Sequence, residues 1–194
     1  MKKGLLVLAI AFFAMSSVFA QVSGGLKAGL NLANITGEGD YDMKAGFHVG
    51  AFVDLSISDA FSLQPELLFS TQGAQYTFIP QDDEVTAKFN LNYLNLPILA
   101  KVKIGEVFNI HAGPQFGFLL SAKEKRDDES YDFKDQLKTV DVGLAFGVGV
   151  DLPMGLTFAG RYNLGLTDIA DENDGDPIKN SVIQVSVGYK LFGK

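Results

Sequence analysis

Apolar and polar residues alternate along most of the chain after residue 20, and the alternation recurs in eight segments. In residues 140–152, for example, Val, Leu or Phe occupies every second position, with Asp, Gly or Ala between them. Successive side chains of a β-strand point to opposite faces, so this period predicts eight strands with one apolar and one polar face. The predicted strands span residues 22–32, 44–57, 61–72, 93–104, 108–120, 140–152, 156–167 and 183–191.

The connections between these strands are alternately short and long. The tight turns are 58–60, 105–106 and 153–155. The long, polar and acidic loops are 34–43, 73–89, 121–136 and 168–179. Strands of about ten residues can cross a bilayer when tilted, and short periplasmic turns with long extracellular loops are typical of outer-membrane barrels. We therefore predict an all-β fold, an eight-stranded antiparallel up-and-down transmembrane β-barrel with both termini in the periplasm.

A soluble carrier barrel of the lipocalin type would show the same alternation, but its apolar face would point inward. Here the polar face is rich in Gly, Ser, Asn and Gln, which fit a narrow barrel interior. The apolar face is nearly uninterrupted, and lipid can cover all of it. We predict that the polar face points inward, with the charged residues Lys27, Asp54, Glu66, Lys101, Asp141, Asp151, Arg161 and Lys190 inside the barrel.

Opposite charges inside such a barrel are expected to pair, because an unpaired buried charge is costly. The sequence suggests two such pairs, Glu66 with Arg161 and Lys27 with Asp54. Arg161 is therefore expected to contribute to the stability of the barrel.

Prolines and aromatic residues mark further features of the predicted strands. Pro65, Pro97 and Pro114 lie inside strands, and we expect β-bulges there because proline has no amide hydrogen for the ladder. Aromatic residues near strand ends are candidates for girdles at the two membrane interfaces. These are Phe47, Phe61, Phe69, Phe108, Phe118, Tyr162 and Tyr189.

Residues 1–20 have the composition of a secretory signal peptide. Lys2 and Lys3 give a positive start, an apolar run of twelve residues follows, and small residues precede Gln21. Twelve apolar residues are too few to cross a bilayer core as a helix. We expect cleavage before Gln21 and a barrel domain over 21–194.

Two motifs carry a family resemblance. The stretches YLNLPILAK (93–101) and RYNLGLTDI (161–169) resemble the central and penultimate strands of the PorT-like family, the small outer-membrane β-barrels of the Bacteroidetes. The architecture is also similar to barrels of the outer-membrane protein X type. The resemblance covers residues 21–194 and implies this fold and the bacterial outer membrane, but little chemistry. Residues 186–192 are similar to the C-terminal signal read by the barrel-assembly machinery, although the chain ends in Gly193-Lys194 rather than an aromatic residue.

Composition narrows the possible chemistry. The chain contains no Cys, which excludes disulfides, thiol catalysis and Cys-ligated zinc. Its net charge of −7 argues against a nucleic-acid partner. The two histidines, His48 and His111, fall on the inward face near opposite ends of the barrel, so we expect interior hydrogen bonds and no shared site. A lipid hydrolase would need a His beside a Ser and a carboxylate. We assign no catalytic, cofactor-binding or metal-binding residue.

The loop at 168–176 is dense in carboxylates. Its spacing does not fit an EF-hand, because Asp176 stands at the sixth position of a loop that begins at Asp171, where Gly is required. A solvated, self-repelling loop is the default interpretation, with a weak divalent-cation site as the alternative. The loop at 123–135 mixes charges of both signs and is also expected to be solvated.

The leading functional hypothesis is a non-enzymatic outer-membrane protein that is structural or binds a surface partner through its acidic extracellular loops. The alternatives are a narrow channel for small solutes or ions and a soluble periplasmic lipocalin-like carrier. A membrane enzyme acting on lipid is a further possibility that lacks a catalytic set. The expected partners are outer-membrane lipid and lipopolysaccharide, the barrel-assembly machinery during biogenesis and an extracellular partner, with no cofactor.

Overall fold

A computed structural model describes residues 22–37, 41–78, 85–126, 129–171 and 175–193, so the predicted signal peptide lies outside the described residues. The described residues form a single antiparallel sheet of ten strands. The strands are β1 (Val22–Thr36), β2 (Asp42–Ser56), β3 (Phe61–Gln72), β4 (Ala74–Phe78), β5 (Val85–Ile104), β6 (Phe108–Arg126), β7 (Glu129–Asp132), β8 (Val140–Asp151), β9 (Leu156–Gly165) and β10 (Lys179–Phe192).

The sheet closes on itself into a barrel. The first strand, β1, pairs with both β2 and the last strand, β10, while β2–β3 and β5–β6 pairings complete the ring. The ring runs through β1, β2, β3, β5, β6, β8, β9 and β10, which confirms the predicted all-β, eight-stranded antiparallel barrel. The remaining strands, β4 and β7, are short extensions that pair with β5 and β6.

Apolar side chains cover the outside of the barrel and polar side chains fill its inside. Val148 and Val185 are 62% and 63% exposed, whereas Lys27 and Glu66 are 5% and 2% exposed. This distribution is the reverse of a lipocalin, so the soluble-carrier alternative is not supported. A continuous apolar surface needs lipid to cover it. No helix among the described residues is long and apolar enough to cross a membrane.

Two of the predicted loops contain additional strands. The prediction placed 73–89 and 121–136 in loops, but β4 and the beginning of β5 occupy much of the first, and the end of β6 with β7 occupies much of the second. Residues 79–84 and 127–128 lie outside the described residues. The alternation that identified strands arises where one face meets lipid, so it cannot mark hairpins that continue above the membrane.

The predicted bulges at the three prolines are wrong. The strand register is the same on both sides of Pro65, Pro97 and Pro114. Register shifts occur instead at Gly24/Gly25 and at Asn92/Tyr93. Each proline therefore leaves a gap in the ladder without an inserted residue, because the neighbouring pairs keep the two strands aligned.

The structure contains the predicted tight turns and places several of the girdle candidates on the outside of the barrel. Gly105 and Gly155 adopt φ values of +67° and +93° in two of the tight turns, a conformation that favours glycine. Of the aromatic residues proposed for the interfacial girdles, four have side chains at least 41% exposed on the outside of the barrel, namely Phe47, Phe108, Phe118 and Tyr189.

The topology predicts which lysines an amine reagent reaches in intact cells, if the reagent cannot cross membranes. Labelling is expected at lysines of the extracellular end, read by mass spectrometry: Lys88, Lys123, Lys125, Lys134 and Lys179. Lys27 and Lys101, which are 5% and 3% exposed inside the barrel, and Lys190 at the periplasmic mouth should stay unlabelled. Labelling that appears only after the cells are broken would contradict the orientation.

Candidate functional site

The centre of the barrel interior is the carboxylate of Glu66, which is 2% exposed. The guanidinium of Arg161 donates two hydrogen bonds of 2.9 Å to it, one to each oxygen. Lys27 Nζ and Gln64 Nε2 donate to Glu66 Oε1 over 2.6 and 2.7 Å. A buried carboxylate with four donors, two of them from a bidentate arginine, is well satisfied. The predicted pair of Glu66 with Arg161 is confirmed.

A second group of charges lies toward the periplasm from Glu66. Lys101 Nζ is 3.0 Å from Asp54 Oδ2 and 2.6 Å from Asp151 Oδ2. It also donates to Gln64 Oε1 over 3.0 Å, so the amide of Gln64 links this group to Glu66. We call the linked residues the interior charge network: the cations Lys27, Lys101 and Arg161, the anions Asp54, Glu66 and Asp151, and Gln64.

The predicted pair of Lys27 with Asp54 is wrong. In the β1–β2 ladder Lys27 stands opposite Gly50, whereas Asp54 stands opposite Ser23. Four residues of strand separate the two heights, which is about 13 Å. Alternation had correctly assigned both residues to the interior, but the height of each in the barrel depends on the register.

Above the charge network lies a layer of amides, hydroxyls and an imidazole. His48 Nδ1 is 2.7 Å from Asn31 Oδ1, and its Nε2 is 2.8 Å from Ser186 Oγ. Asn31 also donates to Ser70 Oγ over 3.0 Å and accepts from Gln184 Nε2 over 3.1 Å. Interior hydrogen bonding of His48 is thus confirmed.

The second histidine is likewise buried but has different partners. His111 Nδ1 is 3.0 Å from Asn109 Oδ1. It shares no hydrogen-bond partner with His48, in keeping with the prediction that the two do not form one site. Glycines make room for both rings, because a Cβ on Gly29 would come within 2.6 Å of His48 Cε1, and one on Gly147 within 2.9 Å of His111 Nε2.

Ser186, His48 and Asn31 are connected in the order of a nucleophile, a base and an orienting group. Sequence analysis missed this trio, which comes from β10, β2 and β1. The pairing of the first and last strands in any closed barrel was the signal that could have suggested it. All three side chains are at most 6% exposed. Ser186 borders the groove on the outer face, whereas His48 lines neither that groove nor the cavities at the two ends and inside the barrel. The trio of Ser186, His48 and Asn31 therefore serves to satisfy buried polar groups inside the barrel.

An apolar cluster closes the extracellular mouth. Its buried members, the mouth cap, are Ile35, Ala74, Leu91, Tyr93, Leu119, Ala122 and Ile169. Tyr41, Phe133, Leu137 and Ile178 pack against it. Just below, the Tyr93 hydroxyl accepts a hydrogen bond of 3.1 Å from Asn180, which also donates to Asp141 Oδ2 over 2.8 Å.

The extracellular loops are fastened to this cap. The predicted solvated loop at 168–176 instead buries Ile169, which is 2% exposed. The carboxylate of Asp168 accepts the amides of Ala170 and Ile178, each at 3.1 Å. The connection between β7 and β8 contains a 3-10 turn at Lys134–Gln136. This turn contacts the 168–176 loop, because the amide of Asp171 donates to the Gln136 carbonyl over 3.0 Å.

The cation site suggested for 168–176 stays a prediction. Among the residues that the structure describes, no three His, Cys, Asp or Glu side chains lie together in a way that could hold a metal ion. Glu172 and Asp174, two of the carboxylates in question, lie outside the described residues.

Two of the larger cavities of the described barrel lie at its ends, and a third, an open apolar groove of about 620 Å³, lies on its outer face beside Ala159 and Gly160. A vestibule of about 510 Å³ opens at the periplasmic mouth and reaches Asp151. Beyond it, the cavity between Lys27, Lys101 and His111 is about 20 Å³, which is room for about one water molecule. At the extracellular end, an open groove of about 530 Å³ lies between the 3-10 turn and β8, with Lys134, Asp135, Lys138 and Asp171 on its walls.

Arg161→Ala removes two of the four donors from the buried Glu66 carboxylate. Breaking a buried ion pair costs about 3–5 kcal/mol, so we expect a clearly lower midpoint of thermal unfolding in detergent. The matched control is Arg126→Ala, which breaks an exposed pair with Glu124 and should change the midpoint little. Equal midpoints for Arg161→Ala and the native protein would argue against a structural role of the network.

The buried trio predicts an absence of serine reactivity. The native protein in lipid should neither react with a fluorophosphonate probe nor release fatty acid from phospholipid, because Ser186 and His48 are only 6% and 1% exposed. Probe labelling of the native protein that is lost in Ser186→Ala would overturn this interpretation and make the trio a catalytic site.

Comparisons with known proteins identify the architecture. Residues 17–171 match the family model described as "Outer membrane protein beta-barrel domain". No curated protein matches the chain in sequence. Among solved structures, the Neisserial surface protein A aligns with a TM-score of 0.58 at 12% identity, covering 88% of this chain and 99% of that chain. Ail, the attachment invasion locus protein of Yersinia pestis, aligns with a TM-score of 0.50 at 13% identity, with the same coverage.

These two likenesses concern the fold alone, because the identities are low. The family match, by contrast, covers most of the sequence. It agrees with the closed ring, the apolar exterior and the alternation of short turns with long loops. The chain therefore belongs to the outer membrane protein beta-barrel domain family and is a β-barrel of the bacterial outer membrane.

Proposed function

We propose that this protein is a non-conducting, non-enzymatic barrel that presents its extracellular end to a partner at the cell surface. The observation that carries the proposal is the contrast between the two parts of the molecule. The bore is filled by the interior charge network, the amide layer and the mouth cap. The extracellular end, by contrast, extends above the apolar band through β4, β7 and the ends of β5 and β6 that pair with them.

The filled bore argues against the channel alternative. An eight-stranded barrel has an interior that side chains can fill completely. Here the network links residues of β1, β3, β5 and β9 across the axis. Passage of an ion would require these buried pairs to separate, and separating buried pairs is strongly unfavourable.

The extracellular end has the features of a binding platform. The β4–β5 and β6–β7 hairpins and the 3-10 turn extend the sheet beyond the apolar band. The contacts of the loops with the mouth cap fix their arrangement, which lowers the entropic cost of binding. Exposed carboxylates of the described loops are Glu129, Asp132, Asp135, Asp171 and Asp176. Such a surface favours a cationic partner and fast, salt-dependent association.

The proposal includes the route to the membrane. A signal peptide over residues 1–20 would direct secretion, and residues 186–192 would be read by the barrel-assembly machinery. The motifs at 93–101 and 161–169 support membership of the PorT-like barrels of the Bacteroidetes. Lipopolysaccharide and phospholipid would surround the barrel as its lipid partners.

A conductance measurement tests the closed bore. In planar bilayers the inserted native protein should show no discrete current steps at moderate voltage, because the charge network and the mouth cap both block the axis. Stable steps of uniform size that depend on protein insertion would contradict the closed bore and favour the channel alternative.

Charge variants test the role of the extracellular end. Asp135→Asn with Asp171→Asn removes two carboxylates from the groove beside the 3-10 turn. We expect weaker binding of protein-bearing liposomes to a polylysine-coated surface than for the native protein, with the difference fading at high salt. The matched control, Asp59→Asn with Glu106→Gln, removes the same charge from the periplasmic turns. Equal binding by the two variants would contradict a specific role of the loops.

A further inference from the structure

Three lysines lie on the outward face of the barrel just above the apolar band. Ala87 and Leu91 of β5 and Ala122 of β6 point inward and are at most 1% exposed. Because side chains of a strand point alternately to its two faces, the positions next to these inward residues point outward. The outward residues above the band are Lys88, Asn90, Asn92, Ser121, Lys123 and Lys125, and we call the three lysines among them the lysine collar.

The ladder places the collar at the height of lipid headgroups. On β6 the last apolar residues that point outward are Phe118 and Leu120, which are 41% and 46% exposed. Lys123 follows three residues later, so its Cα lies about 10 Å further along the strand. With a strand tilt of about 40°, that is about 8 Å above the apolar band, within reach of the lipid headgroups. Lysine side chains at such a position bury their methylenes near the lipid and keep the ammonium in the polar layer.

Within the part of the chain that the structure describes, no carboxylate pairs with the positive charges of the collar. Lys88 stands directly opposite Lys125 in the β5–β6 ladder. Like charges directly opposite each other destabilise a sheet. None of the three lysines forms a salt bridge with a described residue, although Asp132 stands opposite Lys123. An external anion between Lys88 and Lys125 would relieve this repulsion.

We infer that the lysine collar binds the phosphorylated sugar headgroup of lipopolysaccharide in the outer leaflet. The lipid is the appropriate source of phosphate, because the collar lies at the edge of the lipid-covered surface and not at the tip of the loops. The amide of Asn90, which stands opposite Lys123, adds a donor and an acceptor for the sugar hydroxyls. The inference rests on the lipid partners named in the proposed function and is independent of the partner proposed for the extracellular loops.

The expected effect of the collar can be stated as a fold-change. A basic residue near an anionic lipid surface strengthens binding about five-fold. Replacing Lys88 and Lys125 by Gln should therefore weaken the binding of bisphosphorylated lipid A about thirty-fold. The same double substitution removes a like-charge pair, so the variant without lipid should unfold at the same or a higher temperature than the native barrel.

The experiment titrates lipid A into the full-length mature protein in neutral detergent and follows both bound lipid, by native mass spectrometry, and the unfolding midpoint. We expect lipid A to raise the midpoint of the native protein and of the control K134Q/K138Q, which removes two lysines from the groove beside the 3-10 turn. The gain should be lost in K88Q/K125Q, whose stability without lipid shows that it still folds.

Three outcomes would overturn the inference. An equal gain from dephosphorylated lipid A would mean that only the acyl chains are recognised. An equal gain from inorganic phosphate would mean a site for free anions rather than for a lipid. An equal loss in K88Q/K125Q and K134Q/K138Q would mean that the general charge of the extracellular end, and not the collar, attracts the lipid.

Discussion

A charged side chain inside a narrow membrane barrel is separated from water and from lipid headgroups, so another side chain must neutralise it. Glu66 shows how this chain meets that requirement, with Arg161 on both of its oxygens and Lys27 on one of them. The three residues come from β3, β9 and β1, so the ion pairs fasten strands on different sides of the ring. Lys101 repeats the arrangement with Asp54 and Asp151, and the network carries equal numbers of positive and negative charges.

The need to neutralise buried charges gives different levels along the barrel axis different roles. Because ion pairs and hydrogen bonds occupy the described interior, the cavity between Lys27, Lys101 and His111 has room for about one water molecule, and the larger cavities open at the two ends and on the outer face. The periplasmic end is an open vestibule. The extracellular end has the apolar cap inside, fixed loops above and the lysine collar outside, where the polar layer of the membrane begins.

Alternation along the sequence was sufficient for the eight strands of the ring and for the direction of most side chains. It could not give heights, which is why it pairs Asp54 with Lys27, whereas the structure pairs Asp54 with Lys101. The hydrogen-bonded trio of Ser186, His48 and Asn31 was missed for the same reason, since it depends on the register of three strands.

Other features followed from interactions that the sequence pattern does not encode. The strands β4 and β7 lie above the lipid, where no apolar stripe is needed, so the sequence pattern predicts loops there. The register at Pro65 is kept by the neighbouring residues, which the proline itself does not reveal. Ile169 and Phe133 sit in polar stretches, yet they fold onto the mouth cap, because a tertiary contact determines their position.

The claim that polar groups face inward and apolar groups face lipid is tested most directly by spin labels along β10. The chain has no native cysteine, so single cysteines can be placed in turn at residues 182–187. In liposomes, the account predicts that labels at Ile183, Val185 and Val187 collide with oxygen dissolved in the lipid. Labels at Val182 and Gln184, which are 2% and 1% exposed, should be shielded from it. Uniform accessibility, or an alternation of the opposite phase, would contradict the account.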